Sequence, residues 1–130
     1  GNPISCAAGS ATLDEIKRLD LVSKTNKKGK IFKKYLDNFS QKYSNIIRCV
    51  TGKGLIGAII FKDAKKIDAK EIADRISMNC FEKNLLVVNT GRDSIKLGPP
   101  LTITTKVLIN SMQIIEKSII KFYNENSKKL

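Results

Sequence analysis

Two short apolar runs around a glycine-bearing turn, then one helical stretch, then a second pair of runs: this alternation does most to limit what the chain can become. In "NIIRCVTGKGLIGAIIF" (45–61), β-rich runs at 46–51 and 55–61 flank "GKG", whose glycines suit a tight connection. Further on, "LLVVN" and "SIKLG" lie on either side of the turn "TGRD". Strands so short, so closely joined, pair antiparallel and need helices to cover an apolar face. Gly57, inside the second run, predicts a bulge or a close approach by another backbone. Gly52, Gly54 and Gly57 are all read as serving backbone geometry.

Between the pairs, "IDAKEIADRISMNCFEKN" carries an Asp68–Glu71 capping box behind Ile67, then apolar positions at Ile72, Ile76 and Cys80, with Asn84 as the stop. The chain opens with another helix signal, Asn2 as N-cap and Pro3 in the first turn. Ile4, Ala7, Ala8, Ala11, Ile16 and Leu19 give that helix a narrow face of mostly small residues, suited to close packing on a bulky neighbour. "SKTNKKGK" (23–30) breaks the pattern and reads as a loop or a weak helix start, so the second helix is expected to show its face from Ile31, inward through Ile31, Tyr35, Phe39 and Tyr43, with Phe32 and Leu36 beside them. "PPLTIT" is an extended link in which an X–Pro bond could be cis; Thr104 or Thr105 then caps a last helix with its face at Leu108, Met112, Ile115, Ile119 and Phe122.

The predicted order is α–α–β–β–α–β–β–α: an α+β fold, with a small antiparallel sheet of about four strands and helices on one side. The divisions expected are a connecting helix at 1–20, a small domain at 21–123 and a frayed basic tail at 124–130.

Composition narrows the function classes. The 130 residues hold 42% hydrophobic and 28% charged residues, a globular balance. No apolar run approaches the roughly 20 residues that span a bilayer, and no signal peptide precedes the first helix. Cys6, Cys49 and Cys80 are widely spaced and no histidine is present, which argues against a zinc site and for buried free thiols in a reducing cytosol. The net charge of +12 raises a nucleic-acid or acidic-protein partner, but the lysines are scattered and no aromatic–basic recognition motif accompanies them. A nucleic-acid partner is therefore not expected.

Three segments in order carry a family likeness. "GNPISCAAGSATLDEI" resembles the GNP-initiated helix of class III pyridoxal-phosphate (PLP) aminotransferases. "VTGKGLIGAIIF" is similar to that family's "GxGLxxG" hairpin, and "NLLVVNTGRDSIKLGPPLTIT" to its terminal "GLL…IR…PPL.I" segment. The resemblance covers roughly residues 1–122 and implies the small C-terminal domain of such an enzyme. It implies amino-group transfer from an amino-acid or ω-amino donor to a 2-oxo acid, PLP in the complete enzyme, a homodimer and a cytoplasmic location. The family's Schiff-base lysine and phosphate-binding threonine precede the GNP helix. A large domain or complementary subunit is thus the expected partner, with no cofactor on this chain alone and no activity by itself.

The resemblance also assigns residues. A basic residue, usually arginine, precedes "PPL" in the family and receives the substrate carboxylate; Lys96 stands there in this chain. A lysine offers a point charge in place of a bidentate fork. The plain alternative sets Lys96 on the outward face of an edge strand, alternating with inward Ile95 and Leu97. Arg92 is a second carboxylate candidate, or simply a solvated turn residue. Asn2 is a helix cap, and the family's GNP turn lies close to the cofactor phosphate of the neighbouring subunit. The reading from another class is a stand-alone basic α+β module that binds an acidic protein or RNA; a subunit completing a split enzyme lies between the two.

Overall fold

The computed structural model describes residues 1–127, with four helices and four strands in the predicted order. Helix α1 spans Pro3–Arg18 and α2 spans Leu21–Lys42; strands β1 (Ile47–Lys53) and β2 (Ile56–Phe61) form the first hairpin. Helix α3 (Ala69–Phe81) leads to β3 (Val88–Asn89) and β4 (Ser94–Leu97), and α4 (Thr105–Asn126) closes the chain. The sheet is antiparallel throughout, in the order β1-β2-β4-β3. Two hairpins are thus joined edge to edge by β2 and β4, with Ile59 opposite Ile95.

One face of this sheet carries the core. Gly57, Ile59 and Phe61 of β2 and Ile95 and Leu97 of β4 are buried, while the alternate residues Ala58, Ile60, Ser94 and Lys96 are half-buried or exposed. Phe32, Leu36 and Phe39 of α2, Ile72 and Ile76 of α3, and the whole predicted face of α4 complete the same cluster. Each such side chain removed from water stabilises the fold by about 1.5–3 kcal/mol before entropy is counted.

The helix signals behave as their chemistry requires. Asn2 Oδ1 accepts from the Ile4 amide at 3.0 Å, Asp68 Oδ1 from Glu71 at 2.6 Å and Thr104 Oγ1 from Val107 at 3.2 Å. Asn84 stops α3 in the left-handed region at φ 59°, and the Leu85 amide returns to the Cys80 carbonyl.

Several expectations need correction. Of the two readings of the polar stretch 23–30, loop or helix start, the structure takes the helix: α2 begins at Leu21, directly after Asp20 turns the chain at φ 48°. Lysine is a good helix former, and Gly29, far from breaking the helix, lets it touch the first hairpin. A Cβ at position 29 would sit 2.9 Å from both the Cα and the carbonyl oxygen of Gly54. Gly57 is not bulged, the β1–β2 irregularity falling between Ile47 and Cys49; the Phe32 ring and the Leu36 side chain crowd its Cβ position, and it lies opposite Gly52, where a Cβ would come within 2.8 Å of the Gly57 Cα. Of the cysteines only Cys80 is buried. Cys6 lies on α1, none of whose residues is buried, and Cys49 falls on the uncovered side of β1.

Helix α4 also runs beyond Tyr123, where fraying was expected, as far as Asn126. Arg75 of α3 holds this end, donating to Asn126 Oδ1 at 2.8 Å and pairing with Glu125 at 3.2 Å above the Phe122 ring. Residues 128–130 of the expected tail lie outside the described residues. Both X–Pro bonds of the link are trans, as is every peptide bond among the described residues.

Candidate functional site

The pleat sends alternate β4 side chains to opposite faces. Ile95 and Leu97 point into the core, at 0% and 6% exposure, and Lys96 points out on the uncovered face. Its strand is not an edge. Lys96 lies opposite Ala58 of β2 on one side and Val88 of β3 on the other, with Cβ separations of about 5 Å. No ion pair among the described residues includes it. A lone cation between two apolar neighbours keeps its stem on their surface and its ammonium free for an outside anion.

After Leu97 the chain leaves the sheet through Gly98, Pro99 and Pro100. Together with residues 85–88 and the start of α4, this link encloses a cavity of about 430 Å³. Leu86, Val88, Pro100, Ile103 and Val107 give it an apolar lining, and Lys96 is the one charged residue among its described lining residues. An apolar pocket with a single cation suits a small ligand with an acidic end.

The link has few restraints of its own. Prolines donate no backbone hydrogen bond, and Ile103 N to Pro100 O, 2.9 Å, is the one backbone bond within 98–103. Lys28 of α2 supplies the rest, its ammonium donating to the carbonyls of Leu101 and Ile103 at 2.8 and 2.7 Å. Sequence reasoning missed Lys28: it sits among lysines in a polar stretch read as a loop or a weak helix start, and nothing local marks one of them as different.

The other two candidates stand elsewhere. Arg92 lies in the exposed turn between β3 and β4, beside Asp93, which pairs with Arg48 at 2.8 Å; Arg92 does not line the cavity. Asn2 is exposed, and its carboxamide oxygen is occupied by the cap of α1. The three candidates therefore do not converge within this chain. No group of three or more metal-ligating side chains occurs among the described residues. No described helix is long and apolar enough to cross a membrane. Burial raises the Cys80 thiol above its ordinary value, which leaves it neutral and inert.

Comparison with known proteins gives a consistent result. The family model described as "Aminotransferase class-III" matches residues 1–119. The mitochondrial ornithine aminotransferase of Rattus norvegicus is 34% identical over 122 residues, which are 94% of this chain and 26% of that protein. An acetylornithine aminotransferase of Caldanaerobacter subterraneus is 29% identical over 116 residues, 89% of this chain and 28% of its own length. Among solved structures, the acetylornithine aminotransferase of Elizabethkingia anophelis superposes with a TM-score of 0.80 at 32% identity, covering 92% of this chain and 29% of that one. The chain thus spans little more than a quarter of the relatives it matches.

Proposed function

Because this chain belongs to the class III aminotransferases, we propose that it forms the C-terminal portion of a PLP enzyme that moves an amino group from an amino-acid or ω-amino donor to a 2-oxo acid. The observation that carries its part in the reaction is Lys96, an unpaired cation beside an apolar cavity and two residues before the proline link. In this reading the ammonium receives a substrate carboxylate, and the lining of Leu86, Val88 and Pro100 packs on the carbon chain and excludes water.

Bound PLP supplies an electrophilic aldehyde and an electron sink. The described residues do not fit it alone. The cavity beside Lys96 has no carboxylate on its lining to meet a pyridine nitrogen, and Asn2 stands in the open at the start of α1. The groups that hold the cofactor are therefore assigned to the rest of the proposed enzyme. Helix α1, exposed along its length, is the surface by which this portion joins the large domain and a dimer partner.

Steady-state kinetics of the complete enzyme test the assignment. Lys96→Ala should raise KM for the 2-oxo acid about tenfold or more, the loss expected for one charge-assisted hydrogen bond. Lys96→Arg should retain affinity, since its fork can meet both carboxylate oxygens. An unchanged KM in Lys96→Ala would refute the carboxylate role.

A further inference from the structure

Lys28 and Gly29 are neighbours on α2 that face different parts of the molecule. Gly29 brings the helix against Gly54 in the turn of the first hairpin, and Lys28 reaches the link between β4 and α4. The helix is thereby fixed on one side and grips on the other. Its grip falls on a segment whose prolines supply no donors and whose Gly98, Pro99, Pro100 and Ile103 form one wall of the cavity at Lys96. Lys28 is not itself on that wall.

The chemistry suits an ammonium. Two carbonyl oxygens, Leu101 and Ile103, lie within 2.8 Å of one nitrogen, and a lysine offers three donors from a single point. An apolar side chain there would leave both carbonyls to water and the link with a single internal bond. The link begins two residues after Lys96, so a shift of the link changes both the cavity wall and the direction of the Lys96 ammonium relative to it.

We infer that Lys28 is a positioning residue for carboxylate binding: it holds the 98–103 link in place, and so sets substrate affinity at Lys96 without touching substrate. The inference rests on the carboxylate role proposed for Lys96. A merely structural clamp would lower stability and leave substrate affinity alone, so the two roles separate experimentally.

The test compares Lys28→Met, Lys28→Arg, Lys96→Ala and the double variant Lys28→Met/Lys96→Ala in the complete enzyme, with amide exchange followed on the 130-residue chain. Methionine keeps a long stem and a good helix former while removing the donors. In Lys28→Met, KM for the 2-oxo acid should rise about fivefold to tenfold with kcat changed less than about twofold, the pattern of lost binding without lost chemistry. KM for an amine donor that lacks a carboxylate should stay constant, and the Ile103 amide should exchange faster. Lys28→Arg should restore most of the affinity. The double variant should bind no worse than Lys96→Ala alone, because one route is being cut twice.

Faster Ile103 exchange with KM unchanged in Lys28→Met would overturn the inference, as would additive effects in the double variant. Unchanged KM in Lys96→Ala would instead remove the parent reading. That result is distinguishable from failure of the clamp, in which Ile103 exchange stays as in the parent protein.

Discussion

Glycines at positions 9 and 29 both lie inside helices, yet alanine should have opposite effects at the two sites. Around Gly9 a Cβ would meet nothing within 4 Å, so Gly9→Ala should stabilise the chain by up to about 1 kcal/mol through helix propensity. At Gly29 the same methyl would press on Gly54 backbone at 2.9 Å, and Gly54 itself is held at φ 61°. Prying the helix from the hairpin should outweigh the propensity gain and leave Gly29→Ala about 1–3 kcal/mol less stable. Urea midpoints of the two variants decide the matter; a raised midpoint for Gly29→Ala would mean that helix and hairpin separate freely. Lys28 belongs to the same scale. Its two carbonyl bonds decide where a link seventy-odd residues away in sequence lies, at separations of 73 and 75.

At the scale of elements, α3 and β3 show how a short strand is held. Strand β3 has two residues, too few for its ladder to secure it. Asn89 adds a bond to α3, donating to Asp74 Oδ1 at 2.7 Å, while Lys70 donates to the other oxygen at 2.7 Å. Lys70, then Asn89, favour the ionised carboxylate and hold it below its ordinary value of 3.8. The folded state therefore takes up this proton less readily than the unfolded chain. The contribution is whole above about pH 4 and is lost as pH falls through the lowered value. Thermal unfolding followed from about pH 6 to about pH 2 should show a shallower acid limb for Asp74→Asn than for the parent chain. Equal slopes would exclude Asp74 as a source of the acid loss.

The elements also show what a sequence discloses. Helices α3 and α4 were legible because capping residues and one apolar face are local patterns: Asp68 and Glu71, Thr104, and the series from Leu108 to Phe122. The first two turns of α2 were not, because Gly29 acts through a distant glycine and Lys28 through distant carbonyls. The exposure of Lys96 followed from alternation with Ile95 and Leu97, but the interior place of β4 depends on which hairpin edges meet, and no local pattern encodes that. The cavity beside Lys96 was equally hidden, since its walls come from three separated segments.

On the scale of the whole molecule, α1 stands apart. None of its residues is buried, and Ile4 and Leu13 are 79% and 60% exposed. Removing residues 1–18 should change the unfolding free energy of the remainder by less than about 2 kcal/mol, since little apolar area is uncovered. Urea unfolding of the shortened chain checks this, and loss of a cooperative transition would show α1 to be integral to the core. The same exposure fits the place proposed for α1, at the boundary with the rest of an enzyme whose known relatives are between three and four times as long.

The strand order has a consequence in time. Each hairpin closes over a short turn, whereas the β2–β4 ladder brings together segments with all of α3 between them. Closing a short loop loses less entropy than closing a long one, so the hairpins are the early products and their union the late one. Until that union, each half presents a bare strand edge, and two copies of the chain offer each other the same join that one copy completes alone. The interval before Ile59 finds Ile95 is therefore the period in which a newly made chain is most exposed to pairing with a neighbour instead of with itself.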